Sequence, residues 1–314
     1  VVLGAPLFFL PLVGNPYWLS VATLFLFFAY AGQAWNIMMG FAGQLSLGHS
    51  LYLGAGAYTA GALYFHFGIG PWAGLWAAVA VCALLGAFIG ALAFRYGISG
   101  VYFALLTIAF AEFARIGFDH FDWVGGSGGL FLPVAQRDRI DLANLRGTPA
   151  MFYYVILALA AAAFTLSAWL LKSRAGYYWL AIRENEEAAR ALGIDTFRWK
   201  MLAVMISAAM TAPAGVFAAF YYNNLFPEQI FGVSRSIEMI LGPILGGLGT
   251  LPGPVIGAAL LVLIADGATE MLAALGWDAP GVKQLLYGVI LFAVVVFLPH
   301  GVWPAIARKL KVSR

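Results

Sequence analysis

Apolar residues run along this chain in blocks separated by polar or proline-bearing breaks, and a helix needs roughly 20 such residues to cross the hydrocarbon of a bilayer. Blocks of that kind predict ten membrane spans: Val1–Val13, Tyr17–Met39, Gln44–Phe65, Pro71–Phe94, Val101–Phe118, Met151–Leu171, Met201–Tyr222, Ser236–Leu251, Pro254–Leu275 and Gln284–Leu298. The first and eighth are short, and Gly242-Pro243 interrupts the eighth. The predicted fold class is therefore all-α: a polytopic transmembrane bundle of about ten spans, forming a single domain over residues 1–314, with broken or re-entrant glycine-rich elements. Residue 1 is a valine inside an apolar stretch, so we expect a start upstream and a first helix that is cut short.

Composition fixes the solvent. The chain is 63% hydrophobic and 10% charged, whereas a soluble domain carries about 25% charged residues and still needs a wettable surface. The bilayer remains. The single cysteine, Cys82, excludes an intramolecular disulfide framework and reads as a small buried hydrophobe. Four unpaired histidines give no metal-ligand spacing, and a net charge of +3 gives no reason to invoke nucleic acid.

Alternating the spans sorts the basic residues by side. Arg95, Lys172, Arg174, Arg183, Arg190, Arg198, Lys200, Arg308, Lys309, Lys311 and Arg314 fall together; Arg137, Arg139 and Arg146 fall opposite, with Arg235 and Lys283 near span ends on that side. Positive charge is retained inside, so the first set and both termini are expected in the cytoplasm. Segment 172–200 becomes the main cytoplasmic feature and 119–150 the main external loop. The external Gly125-Gly126-Ser127-Gly128-Gly129 reads as a flexible turn rather than a phosphate cradle. No ATP-binding loop with its lysine-serine/threonine ending occurs anywhere, so energy must come from a gradient or a partner.

Three stretches depart from generic membrane sequence. The first, Gly40 to Ser50 with Gly54, Gly56, Ala57 and Gly61 following, reads either as a small-residue helix seam or as a broken helix on the substrate pathway. Gln44, Ser46, Gly48 and His49 are its candidate pathway residues. The second runs from Gly242 to Pro254 and offers Gly246 and Gly247 in the same role. The third is the cytoplasmic segment. Asn185 can cap a short helix, Glu186 and Glu187 suit its first turn, and Gly193 can end it. Ala188, Ala189 and Leu192 are predicted along one side, and so short a helix needs a surface to dock on.

Several of these stretches, in order, resemble the permease subunits of high-affinity branched-chain amino-acid ABC transporters, LivM type. The carriers are Gly43-Gln44-Leu45-Ser46-Leu47-Gly48-His49, Gly54 to Ala60, Thr107 to Glu112, Ala181 to Glu186, Ala191-Leu192-Gly193-Ile194 and Leu245 to Thr250. The resemblance spans essentially the whole chain. It implies a non-enzymatic subunit of a bacterial inner-membrane importer that binds no cofactor itself. A periplasmic binding protein delivers substrate to a pore shared with a sister permease, and two cytoplasmic ATPases supply ATP and Mg chemistry. The coupling role then falls on Glu184, Asn185, Glu186, Glu187, Ala188, Ala189, Arg190, Ala191, Leu192 and Gly193. Relatives of this scaffold also carry urea, short amides and aromatic or dicarboxylic acids, and Ser50-Leu51-Tyr52 departs from the usual pattern.

Ionisable residues inside spans read either as a polar vestibule, facing protein or water, or as outer-edge residues reaching to the interface. Glu112 and Arg115 are spaced to pair, Asp266 and Glu270 share a face, and Arg235 and Glu238 bracket the eighth span. Glu112 joins the candidate pathway residues. Such acids also keep open a gradient-driven secondary transporter, the rival from another class; a membrane enzyme is disfavoured because no catalytic arrangement can be assembled.

Overall fold

A computed structural model describes residues 16–133, 141–274 and 301–310, with a few single positions between 285 and 297. The predicted spans Val1–Val13 and, for the most part, Gln284–Leu298 lie outside the described residues, as do the side chains of Asp266 and Glu270. Twelve helices are described: α1 (Pro16–Asn36, extended by a π turn Ile37–Phe41), α2 (Ser50–Phe67), α3 (Pro71–Arg95), α4 (Val101–Asp119), α5 (Pro149–Lys172), α6 (Arg174–Glu184), α7 (Glu186–Ala191), α8 (Thr196–Tyr222), α9 (Pro227–Phe231), α10 (Val233–Gly246), α11 (Gly253–Ala274) and α12 (Val302–Leu310). Five segments, Tyr17–Phe41, Pro71–Arg95, Val101–Asp119, Pro149–Lys172 and Thr196–Tyr222, are long and apolar enough to cross a membrane.

The core forms around α8, which packs on α2 and α3, and around α1, which packs on α5, α10 and α11. Small residues decide how close the helices come. At the α2–α8 crossing, a methyl group on Gly215 would overlap the Leu53 carbonyl, and one on Gly56 would lie 2.7 Å from the Ala212 carbonyl. The seam reading of this glycine-rich helix is the one that the packing realises. Gly215→Val is expected to force α2 and α8 apart at a cost of about 1–3 kcal/mol or more, read as a lower unfolding midpoint in detergent. Cys82 is fully buried on α3, where its thiol donates to the Tyr52 carbonyl at 3.2 Å.

Two predicted boundaries need correction. The third span begins at Ser50 rather than Gln44, because Gly43 takes φ +70° and residues 43–49 run as buried, non-helical chain. The eighth span, Val233–Gly246, is not broken at Gly242-Pro243. Its helix continues through Pro243 and ends before Gly247 (φ +128°). The bare backbone of Gly32 on α1 admits the Pro243 ring, which compensates in packing for the backbone donor that proline lacks.

At the end of the bundle away from α7, residues 119–133 and 141–148 form a packed cap rather than a slack loop. Strands β1 (Leu130–Phe131) and β2 (Asn224–Leu225) pair antiparallel. Asp122–Val124 and, within the glycine run, Gly126–Gly128 form 3-10 turns, and the Trp123 ring stacks on His66 with centroids 4.2 Å apart. Arg146, almost fully buried, bonds the Asn223 side chain and lies over the rings of Tyr64 and Phe220.

Candidate functional site: the α6–α7 hinge and the two glycine-rich breaks

The short helix predicted in segment 172–200 is α7, built by local chemistry. The Asn185 side chain accepts from the Ala188 N–H at 2.9 Å, Glu186 and Glu187 occupy the first turn, and Gly193 (φ +85°) ends it. The segment is not otherwise an open loop. α6 precedes α7, and α8 begins already at Thr196, where the Asp195 side chain accepts from the Arg198 N–H at 3.0 Å. Trp179, fully buried, donates to the Trp199 carbonyl at 2.8 Å and fixes α6 to the foot of α8.

Glu186 holds α7 down. Its carboxylate receives Lys200 Nζ at 2.8 Å and Arg190 Nη2 at 3.0 Å. Burial pushes its pKa up, but the Lys200 and Thr196 hydrogen bonds and the charges of Lys200 and Arg190 outweigh it, leaving the carboxyl below its usual range. The anchor is therefore present at neutral pH and weakens only as acid titrates the carboxylate. Lys200 itself is buried, with Nζ 4.6 Å from the centre of the Phe94 ring.

The predicted apolar side of α7 is split by this docking. Ala189 is buried, whereas Ala188 faces out and Leu192 is 83% exposed. Leu192, which caps the anchored helix, is thus a knob that no described residue covers.

Directly before α7, Arg183 reaches back into the bundle. Its Nη1 donates to the Gly40 carbonyl at 2.5 Å, and Nη2 meets Glu184 at 2.8 Å. Gly40 opens the first glycine-rich break; Gly249 sits in the second, so near Arg183 Nη1 that a side chain there would overlap it. Asn36 joins the two breaks, accepting from the Gly249 N–H at 2.9 Å and donating to the Thr250 carbonyl at 3.0 Å. Three segments remote in sequence thus meet at one point: the end of α1, the α10–α11 turn, and the hinge before α7. Arg183 and Asn36 were missed as site residues. A signal existed, since Asn36 and Gln33 are two amides in an otherwise apolar run.

The seven candidate pathway residues do not converge. Gln44 donates to the Ala42 carbonyl at 3.0 Å, and the Ser46 carbonyl accepts from Trp35 at 2.8 Å. The Gly48 N–H donates to Thr107 Oγ1 at 3.3 Å, and a methyl on Gly48 would overlap the Thr107 carbonyl. His49, fully buried, meets Thr211 Oγ1 through Nε2 at 2.8 Å. The hydroxyls of Thr211 and Ser207 already donate to the carbonyls of Ser207 and Ala34, so Nε2 is the donor. Among the described residues, His49 Nδ1 and Ser46 Oγ have no hydrogen-bond partner. Gly246 presses on Gly253 in the α10–α11 seam, and Gly247 faces Pro304. Glu112 stands apart near the cap, bonded to Arg115 at 2.7 Å.

A family model described as the permease component of branched-chain amino acid transport systems matches residues 17–295. The chain is 28% identical to the high-affinity branched-chain amino acid transport system permease protein LivM of Escherichia coli K12, over 94% of this chain and 72% of that protein. It is 30% identical to the permease protein LivH of Salmonella typhimurium over 48% of this chain and 45% of that one. It is 29% identical to the autoinducer 2 import system permease protein LsrC of Shigella flexneri over 56% and 49%. No solved structure matches the chain at comparable significance.

Proposed function

The chain belongs to the family of permease components of branched-chain amino acid transport systems, and on that premise we propose that it forms one half of a heterodimeric pore driven through α7 by partner ATPases. The observation that carries the mechanism is the exposed Leu192 on a helix anchored by Glu186 and Lys200. An apolar side chain held in solvent on a helix under two turns long is what a groove on a motor subunit would cover.

Orientation follows from charge. The segment 172–200 and the residues after Pro299 carry the basic excess, so they lie in the cytoplasm and the β1–β2 cap lies outside, beneath a periplasmic binding protein. Helices α1, α2, α3, α4, α5, α8, α10 and α11 supply eight passes. The ten-span expectation further needs Val1–Val13 and Gln284–Leu298, which lie for the most part outside the described residues.

In this reading each ATPase stroke moves α7, and Arg183 passes the movement to the two breaks at once. The moving parts are the end of α1 and the α10–α11 turn, which Asn36 ties together. The cargo is a small neutral amino acid such as leucine, isoleucine or valine. The names of the LivM and LivH relatives support that choice, while the LsrC name shows related scaffolds serving another solute.

The test is reconstitution of the chain with its sister permease, the two ATPases and a loaded binding protein in proteoliposomes. Leucine uptake is expected to require ATP and all partners. Uptake by this chain alone, driven by an ion gradient, would overturn the proposal in favour of a secondary transporter.

A further inference from the structure

At the external end a cavity of about 260 Å³ opens between α1, α2, α8 and the 224–235 segment. Its chemistry is divided. Phe27, Leu53 and Ile230, all buried, form an apolar floor, and the exposed Asn224 and Gln229 form a polar rim. Arg235 is the charged residue of the lining, and its Nη1 meets Glu238 Oε2 at 2.8 Å with each side chain 27% exposed.

A second set of charges lies on the neighbouring α4. Glu112, Arg115 and Asp119 follow one another at helical spacing, Arg115 bonding Glu112 at 2.7 Å and Asp119 at 3.2 Å. Glu228 on α9 lies within electrostatic reach of Arg115. This stripe is half-buried, while Leu105, Phe113 and Ile116 beside it are exposed and apolar. Charges at membrane depth are costly against lipid, and this half-buried stripe is held in mutual pairs on a helix that packs against α9. With Arg235 and Glu238 included, four carboxylates face two guanidiniums.

We infer that this cavity is an external transit subsite for a zwitterionic amino acid with an aliphatic side chain. The solute's carboxylate lies on the Arg235 guanidinium, its ammonium turns to Glu238, and its side chain rests on Phe27, Leu53 and Ile230. A guanidinium binds a carboxylate through two parallel hydrogen bonds, and its pair with Glu238 is made through Nη1. The volume lies just below the roughly 300–1,000 Å³ of ordinary small-molecule sites, which suits a solute of leucine's size. The acidic excess carried by α4, α9 and α10 together repels dicarboxylic acids, so the subsite selects neutral cargo from the alternatives that the scaffold serves.

The inference rests on the importer reading above, and the experiment separates the two. In proteoliposomes holding both permeases, the ATPases and leucine-loaded binding protein, leucine uptake and ATP hydrolysis are measured together. Arg235→Gln is expected to lower uptake about tenfold or more, with stimulated hydrolysis kept, and Arg235→Lys to restore part of it. Gln229→Trp, at an exposed rim position that leaves the core intact, is expected to slow leucine more than valine. A leucine-to-valine ratio and uptake within about twofold of the unaltered complex in Gln229→Trp would overturn the subsite, whether or not Arg235→Gln assembles. Failure of the unaltered complex to move any amino acid would sink the importer reading instead.

Discussion

Leu192→Asp is expected to abolish substrate uptake while the protein still inserts and assembles with its sister permease. Leu192 touches little of its own chain, being 83% exposed, so the fold has nothing to lose. An aspartate there would take a charge into a partner's apolar groove. Buried anchors of this kind are worth about 2 kcal/mol or more at an interface, a loss of about thirtyfold or more in ATPase docking. The measurement is uptake beside binding-protein-stimulated ATP hydrolysis in the reconstituted complex: both should collapse. Normal uptake by the variant would show that α7 is not the driven element. Ala189→Asp is a poor substitute as a test, because Ala189 is buried and the variant would damage the docking of α7 on its own subunit.

Arg183→Ala is expected to produce a different failure, hydrolysis without transport. The exposed face of α7 is untouched in this variant, so the motor still docks and turns over. What is lost is the bond to the Gly40 carbonyl and the wedge against Gly249. A charged hydrogen bond of this type contributes about 1.5–3 kcal/mol, so solute moved per ATP should fall about 10- to 100-fold. Loss of hydrolysis and transport in equal measure would place Arg183 in assembly rather than in transmission. Comparing the two variants separates the contact surface from the link behind it.

What could be read directly from the sequence was what depends on near neighbours. The cap of α7 involves residues within a few positions of Asn185, and the partners of the Glu112–Arg115 pair lie three residues apart. The membrane-borne helical character followed from composition, which no tertiary contact can change. The boundaries that shifted are those settled from afar. Residues 43–49 leave the helix because Trp35 and Thr107 supply partners for their backbone. Pro243 stays within a helix because a glycine on α1, some two hundred residues earlier, gives its ring room. The inward turn of Ala189 depends on the surface of α8 beneath it. Arg183 escaped notice for the same reason: in sequence it is one basic residue among many in the segment, and only the fold shows that it touches both breaks.

The burial of Cys82 has a practical side. Its sulfur is sealed within α3 and bonded to the Tyr52 carbonyl, so maleimide reagents added to the folded protein have no path to it. Over these 314 residues the chain is therefore a silent background for thiol labelling. Fluorophores or spin labels introduced singly on the exposed positions of α7 would report on that helix alone, against a blank control.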